Sequence, residues 1–103
     1  MAKASLILHR KRVFDDGSIS EIKLWHVPSA VRGSHHTFKY SLFFGTNGAR
    51  WVGYDNEAGK GDHRHIGTKE EAYTFSTPER LLSDFLADVE IERARRTDER
   101  SKK

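Results

Sequence analysis

Hydrophobic residues recur along this chain with two periods, and the change from one to the other divides it. Ala4 to Phe14 is rich in β-forming residues, Asp15-Asp16-Gly17 supplies turn residues, and over Ile19 to Val27 the residues Ile22, Leu24 and His26 alternate with Lys23, Trp25 and Val27. This pattern predicts a β-hairpin. Pro28 to Ser34 carries Pro, Gly and Ser and reads as a loop. From His35 to Gly45 every second residue is apolar or aromatic (Phe38, Tyr40, Leu42, Phe44), which places one stripe on one face of a third strand. Asn47-Gly48 suits the positive φ angles of a tight turn, so Arg50 to Tyr54 should return antiparallel. Asp55 to Gly61 is a polar loop, Asp62 to Gly67 a short strand and Tyr73 to Phe75 a last one.

The period then lengthens. Ser76-Thr77-Pro78-Glu79 reads as a helix start, with Pro in the first turn and Ser76 three residues before Glu79 in capping-box spacing. Leu81, Leu82, Phe85, Leu86 and Val89 form one apolar stripe of period 3.6, and Ser83, Asp84, Asp88 and Glu90 are expected to face outward. The economical arrangement is α+β: an antiparallel meander of five or six strands with one amphipathic C-terminal helix packed on one face. The other face then lacks a cover, and Trp25, Phe43 and Trp51 are candidates to lie on it.

With 103 residues, the expectation is one α+β domain over residues 1–95 and a basic tail, 96–103, that frays because it has too little apolar surface to offset ordering. There are no cysteines, so no disulfide scaffold, cysteine-based zinc site or thiol nucleophile is available. The apolar run Leu6-Ile7-Leu8 is closed by His9-Arg10-Lys11-Arg12, too short for a signal-peptide core, and no later stretch is long enough to span a membrane; a cytoplasmic protein is expected. The net charge is +3 and sits entirely from Glu92 onward. Residues 1–67 hold ten basic and six acidic side chains, against two and six in 68–91. The basic half therefore holds the chemistry, a polarity compatible with attracting phosphates.

That chemistry is densest in Tyr54-Asp55-Asn56-Glu57-Ala58-Gly59-Lys60-Gly61-Asp62-His63-Arg64-His65. On a strand, His63 and His65 share one face, ~7 Å apart at Cα. Three readings follow. The pair can divide base and acid duties in phosphodiester cleavage, one taking a proton from a ribose 2′-hydroxyl and the other protonating the departing 5′-oxygen, with no metal or other cofactor. They can be two metal ligands with Asp55 or Asp62 as a third. They can also be ordinary polar residues on a solvated strand. Gly59-Lys60-Gly61 would let backbone N–H groups and an ammonium approach a phosphate, although the spacing is not that of a P-loop. Around the aromatic hairpin, Arg32, His35, His36, Lys39 and Arg50 could contact an RNA backbone while Tyr40, Tyr54 or Trp51 offers an aromatic surface; the same charges also serve as a solvated edge that discourages aggregation.

The segments His36-Thr37-Phe38-Lys39-Tyr40, Tyr54-Asp55-Asn56, Gly59 to His65, Tyr73-Thr74-Phe75 and Leu81 to Val89 with Asp84-Phe85 and Asp88 resemble the TumE-type toxins of bacterial and archaeal toxin–antitoxin modules, over roughly residues 20 to 92. The resemblance implies a growth-inhibiting toxin acting on RNA and neutralised by a helix-turn-helix antitoxin encoded beside it. Within such a toxin, His63 and His65 are expected as general base and acid in either order, Lys60 and Arg64 as stabilisers of phosphorane charge, and Asp55 as the group orienting an imidazole. Oligomeric state is not fixed by these residues, and a homodimer is allowed. Competing readings are a metal-dependent nuclease or phosphotransferase, and a non-catalytic module that binds RNA or protein.

Overall fold

The structure is a computed structural model that describes residues 3–56 and 59–101. The alternating segments form six antiparallel strands in one open sheet: β1 (Ser5–Val13), β2 (Ile19–His26), β3 (Phe38–Thr46), β4 (Ala49–Asp55), β5 (His63–Ile66) and β6 (Lys69–Ala72). Their spatial order is their chain order, so the sheet is a meander with no crossover. One helix, α1 (Pro78–Ser101), follows and packs across β3 and β4. The expected α+β architecture is thus the observed one.

Strand register decides which residues share a face. Ile22 pairs with Leu42, Leu42 with Tyr54, and Tyr54 with Arg64, and paired residues of antiparallel strands point the same way. This row faces α1. Leu24, Tyr40, Phe44 and Val52 lie on the same side, where they bury against Leu81, Phe85 and Val89. Tyr54, Phe44, Val52, Leu81 and Phe85 are all 0% exposed, so the core is a single layer between sheet and helix. The intervening residues, Lys23, Trp25, Ser41, Phe43, Gly53, Asp55, His63 and His65, face the opposite side.

Several elements depart from the sequence expectation. The last strand is Lys69–Ala72, not Tyr73 to Phe75. Gly67, at φ 60°, turns the chain so tightly that Ile66 and Lys69 pair directly, and a polar strand is tolerated because it is the sheet edge. Tyr73 and Phe75 leave the sheet to pack their rings on Tyr54 (5.0 Å) and His36 (3.8 Å). The third strand begins at Phe38, and His35 to Thr37 form a bend. At Asn47-Gly48 the turn forms without positive φ; an irregularity in the pairing places Trp51 as an extra residue on β4, and such a bulge supplies the added twist that a primed turn otherwise gives. The same bulge turns Trp51 away from the helix-free face, onto Phe44 (5.4 Å) and beneath the Arg96 guanidinium at 3.4 Å.

The helix also differs at its start and in which side chains its faces present. Its cap is Thr77, whose Oγ1 accepts the Arg80 N–H at 3.1 Å, one residue later than the Ser76–Glu79 spacing indicates. Asp84 and Asp88 are half-buried at the edge of the helix–sheet contact and not wholly solvated: Tyr73 donates to Asp84 at 2.7 Å, and Tyr54 donates to Asp88. Leu86, expected in the stripe, is 50% exposed. The helix extends as far as Ser101, with Arg95 and Arg96 paired to the buried Glu92 (2.5 and 2.7 Å) and Arg95 to Glu99 (2.6 Å). Lys102 and Lys103 lie outside the described residues.

Two polar clamps fix the chain between β4 and β5. Asn56, 1% exposed, continues the ladder past the end of β4 with its side chain: its Oδ1 accepts the Tyr40 N–H at 3.0 Å and its Nδ2 donates to the Phe38 carbonyl at 2.7 Å. Asp62 accepts from Ser34 Oγ (2.5 Å) and Tyr40 OH (2.6 Å) and lies 2.7 Å from His36 Nε2. These bonds require two loops to cross backbone on backbone. A Cβ on Gly33 would stand 2.6 Å from the Gly61 nitrogen, and one on Gly61 2.9 Å from the Gly33 oxygen. Burial alone would raise the Asp62 pKa, but the bonds from Ser34, Tyr40 and His36 outweigh it and hold the carboxyl below its ordinary range.

Three outcomes follow for stability. Asn56→Ala strands the buried Tyr40 N–H and Phe38 carbonyl and should cost about 2–4 kcal/mol in urea unfolding, with an unchanged m value. Thr77→Ala should cost about 1 kcal/mol and Ser76→Ala close to nothing, which separates the observed cap from the expected one. Because the folded-state pKa of Asp62 is lowered, its contribution is present above the unfolded value of ~3.9 and disappears as pH falls through the folded one; the stability gap between wild type and Asp62→Asn should close on acidification below about pH 4.

Candidate functional site

On the helix-free face, β4 and β5 bring three side chains together. Asp55 pairs with His63 and Gly53 with His65, so both imidazoles project beside the Asp55 carboxylate. The ring centroids are 5.1 Å apart at a steep 72°. His63 Nε2 lies 2.9 Å from Asp55 Oδ1, and His65 Nε2 lies 3.9 Å from Asp55 Oδ2. The other nitrogen of His63, Nδ1, is 2.9 Å from the Gly61 carbonyl. A carbonyl only accepts, so the proton of the neutral ring sits on Nδ1 and Nε2 is left facing Asp55.

The environment is enclosed and polar. The His63 and His65 side chains are 8% and 11% exposed. Asp55 Oδ1 is buried and, among the described residues, receives no hydrogen bond, even from the nearby ring. Glu70, on edge strand β6 opposite His65, stands 3.7 Å from His63 Nε2 and 3.8 Å from His65 Nδ1. Arg50 reaches the same place because Gly53 has no side chain; a Cβ there would meet Arg50 Cδ at 2.6 Å. Burial, and then the Arg50 charge, hold the His65 pKa below the usual imidazole value.

The other expected site residues are distributed elsewhere. Arg64 points to the helix side, where it pairs with Glu71 and reaches Asp88 at 3.5 Å; alternation that unites His63 with His65 necessarily separates the residue between them. Lys60 and His35 line a second hollow of about 340 Å³ with His36, Asp62 and Phe75, whose walls include none of Asp55, His63 and His65. Tyr40 and Tyr54 are core residues, 2% and 0% exposed, and cannot stack on a base. His36 is stacked on Phe75 and bound to Asp62. Asp62, the alternative third ligand for the His pair, is committed to its clamp. Arg32 lies over Gly59, away from the cluster. Glu57 and Ala58, within the same motif, lie outside the described residues.

A hollow of about 310 Å³ adjoins the cluster through Asp55, with Lys23, Trp25, Lys39, Ser41 and Asn56 in its walls. Lys39 Nζ sits 5.7 Å from the Trp25 ring. Trp25 and Phe43 thus occupy the face expected of them, while Glu70, Lys23 and Ser41 are neighbours the motif did not reveal. The period-two pattern of β2 and β3 carries the signal for Lys23 and Ser41. Glu70 becomes visible once β6 is placed at Lys69–Ala72.

The cluster presents two imidazoles, a carboxylate with a free oxygen and a guanidinium, next to a cationic hollow with an indole wall. Among the described residues, no helix is long and apolar enough to cross a membrane. No curated protein and no solved structure matches the chain. The family model described as toxin TumE matches residues 3–93, which include all six strands, the paired histidines and most of the helix. The chain belongs to the TumE toxin family, and that membership makes it a toxin.

Proposed function

We propose that this toxin is an endoribonuclease whose reacting phosphodiester lies against Asp55, His63 and His65. The observation that carries the reading is that Asp55 is shared: it is a wall of the hollow holding Lys23, Trp25 and Lys39, and it is the carboxylate on which both imidazoles converge. Lysines beside an indole suit a single-stranded nucleic acid, since the cations meet phosphates and the ring meets a base. A strand bound there delivers a backbone linkage to the histidines.

His65, whose nitrogens stand 3.8 and 3.9 Å from the neighbouring carboxylates, is not tied up in a hydrogen bond to them and is the base. It takes the proton from a ribose 2′-hydroxyl, the 2′-oxygen bonds to phosphorus, and the phosphorus–O5′ bond breaks. His63 acts as the imidazolium, with Nδ1–H on the Gly61 carbonyl and its second proton on Nε2 beside Asp55, and gives that Nε2 proton to the departing 5′-oxygen. The products are a 2′,3′-cyclic phosphate and a 5′-hydroxyl. Charge on the phosphorane is met by Arg50 in place of Arg64 and Lys60, which line other surfaces. The partner is a helix-turn-helix antitoxin encoded beside the toxin, as the family resemblance implies.

Purified protein incubated with end-labelled RNA should yield fragments with cyclic-phosphate ends in the presence of excess chelator. His63→Ala and His65→Ala should each lower the rate by about 10²–10⁴-fold, and the double variant should no longer arrest growth, with thermal unfolding close to wild type. Trp25→Ala should raise KM more than it lowers kcat. A double variant that stays fully toxic places the chemistry elsewhere, and RNA that is shifted on a gel without being shortened makes the protein a binder.

A further inference from the structure

The gap between His63 Nε2 and Asp55 Oδ1 is electrostatically incomplete. With the ring's neutral-state proton held on Nδ1 by the Gly61 carbonyl, a lone pair on Nε2 faces a buried carboxylate oxygen at 2.9 Å, and that oxygen receives no hydrogen bond among the described residues. Two electron-rich atoms so close are stable only with positive charge between them. A proton is one such charge, and it is the one used by the acid–base reaction above.

The geometry points to a second: we propose that Asp55, His63 and His65 bind one divalent transition-metal ion, of which Zn²⁺ is the best match. One ligand atom from each residue lies within 4.8 Å of the other two. Around a tetrahedral ion with bonds of ~2.0–2.1 Å, neighbouring ligand atoms are roughly 3.3 Å apart, and each ring has an Asp55 oxygen near that range, Oδ1 at 2.9 Å from His63 Nε2 and Oδ2 at 3.9 Å from His65 Nε2. Two imidazoles and a carboxylate are the donor set of zinc, cobalt and nickel, not of magnesium or calcium, which take oxygen. The contact from His63 Nδ1 to a backbone carbonyl is the outer-shell bond that fixes a metal-binding histidine in the required tautomer. Glu70, 57% exposed and within 3.8 Å of both rings, can supply a further oxygen.

One consequence rests on the ribonuclease reading. An ion on Nε2 of both rings occupies the atoms that carry the protons, so a zinc-loaded toxin is silent, and the site becomes a brake on the toxin independent of its antitoxin. If the ion instead drives cleavage, the metal site stands and the acid–base reading falls.

Binding is read directly, without RNA. Full-length chain titrated with Co²⁺ should develop one visible ligand-field band that saturates at one ion per chain and is abolished by Zn²⁺, the tighter-binding ion. His65→Ala and the shape-conserving Asp55→Asn should each weaken Co²⁺ by more than about tenfold, because removing a direct ligand costs more than the 10–100-fold typical of outer-shell partners; His35→Ala should leave it unchanged. Since a variant can lose its fold, long-range ¹⁵N–¹H spectra of the wild-type imidazoles give an independent readout: Zn²⁺ should shift His63 and His65 and spare His9, His26 and His35. Absence of the Co²⁺ band, a band that persists in folded Asp55→Asn and His65→Ala, or zinc shifts confined to other histidines overturns the site. In a parallel arm, cleavage that proceeds in chelator and stops with one equivalent of Zn²⁺ supports both the site and its silencing role, whereas cleavage that requires Zn²⁺ keeps the site and removes the acid–base mechanism.

Discussion

The site depends on how the chain is held as it passes from β4 to β5. A strand of four residues, His63–Ile66, has little pairing of its own to choose a register, and a shift of one residue would exchange its two faces. The histidines would then meet the helix, and Arg64 would stand beside Asp55. Asn56 and Asp62 prevent this by tying the connection to β3 and to Ser34 with side-chain bonds that only one register satisfies. The Arg64 network on the far face adds a second check, since Tyr54, Glu71 and Asp88 are placed for a cation there and not for an imidazole.

A sheet covered on one side only lets one strand serve two purposes. The face under α1 is filled with rings and aliphatic side chains, and its polar atoms at the margin are paired, as Tyr73 with Asp84 and Tyr54 with Asp88. The opposite face has no helix to fill, so its residues can be selected for chemistry. The omitted side chain at Gly53 is part of that: it opens the position through which Arg50 approaches His65. Enclosure and charge then act together. Low exposure strengthens each interaction inside the cluster, and the Asp55 oxygen without a hydrogen bond makes the site select for a positive charge, whether a proton on an imidazole or a metal ion.

Residue patterning made much of this legible. Alternation in β2 and β3 is set by neighbours one and two positions away, so the sheet, its aromatic stripe and the side occupied by Trp25 and Phe43 could be read directly. The 3.6 period located the helix, and His-x-His spacing guaranteed a shared face on any strand. The failures came where a distant partner decides. Asp84 and Asp88 look like solvated acids until Tyr73 and Tyr54 arrive from the sheet. Trp51 changes face because of one bulge, and Lys69–Ala72 pairs as a polar edge because Gly67 brings it back on β5.

The candidate site divides along the same line. Which residue types are present, and that His63 and His65 must lie on the side opposite Arg64, follow from covalent geometry alone, since successive side chains on a strand point to opposite faces. That Asp55 joins the pair, that Lys60 and Asp62 leave it for the other hollow, that Tyr40 and Tyr54 are buried, and that Arg50 and Glu70 enter, were decided by strand register and loop crossing. Those are long-range contacts, whose free energy comes from bringing distant segments together, and no local pattern encodes them.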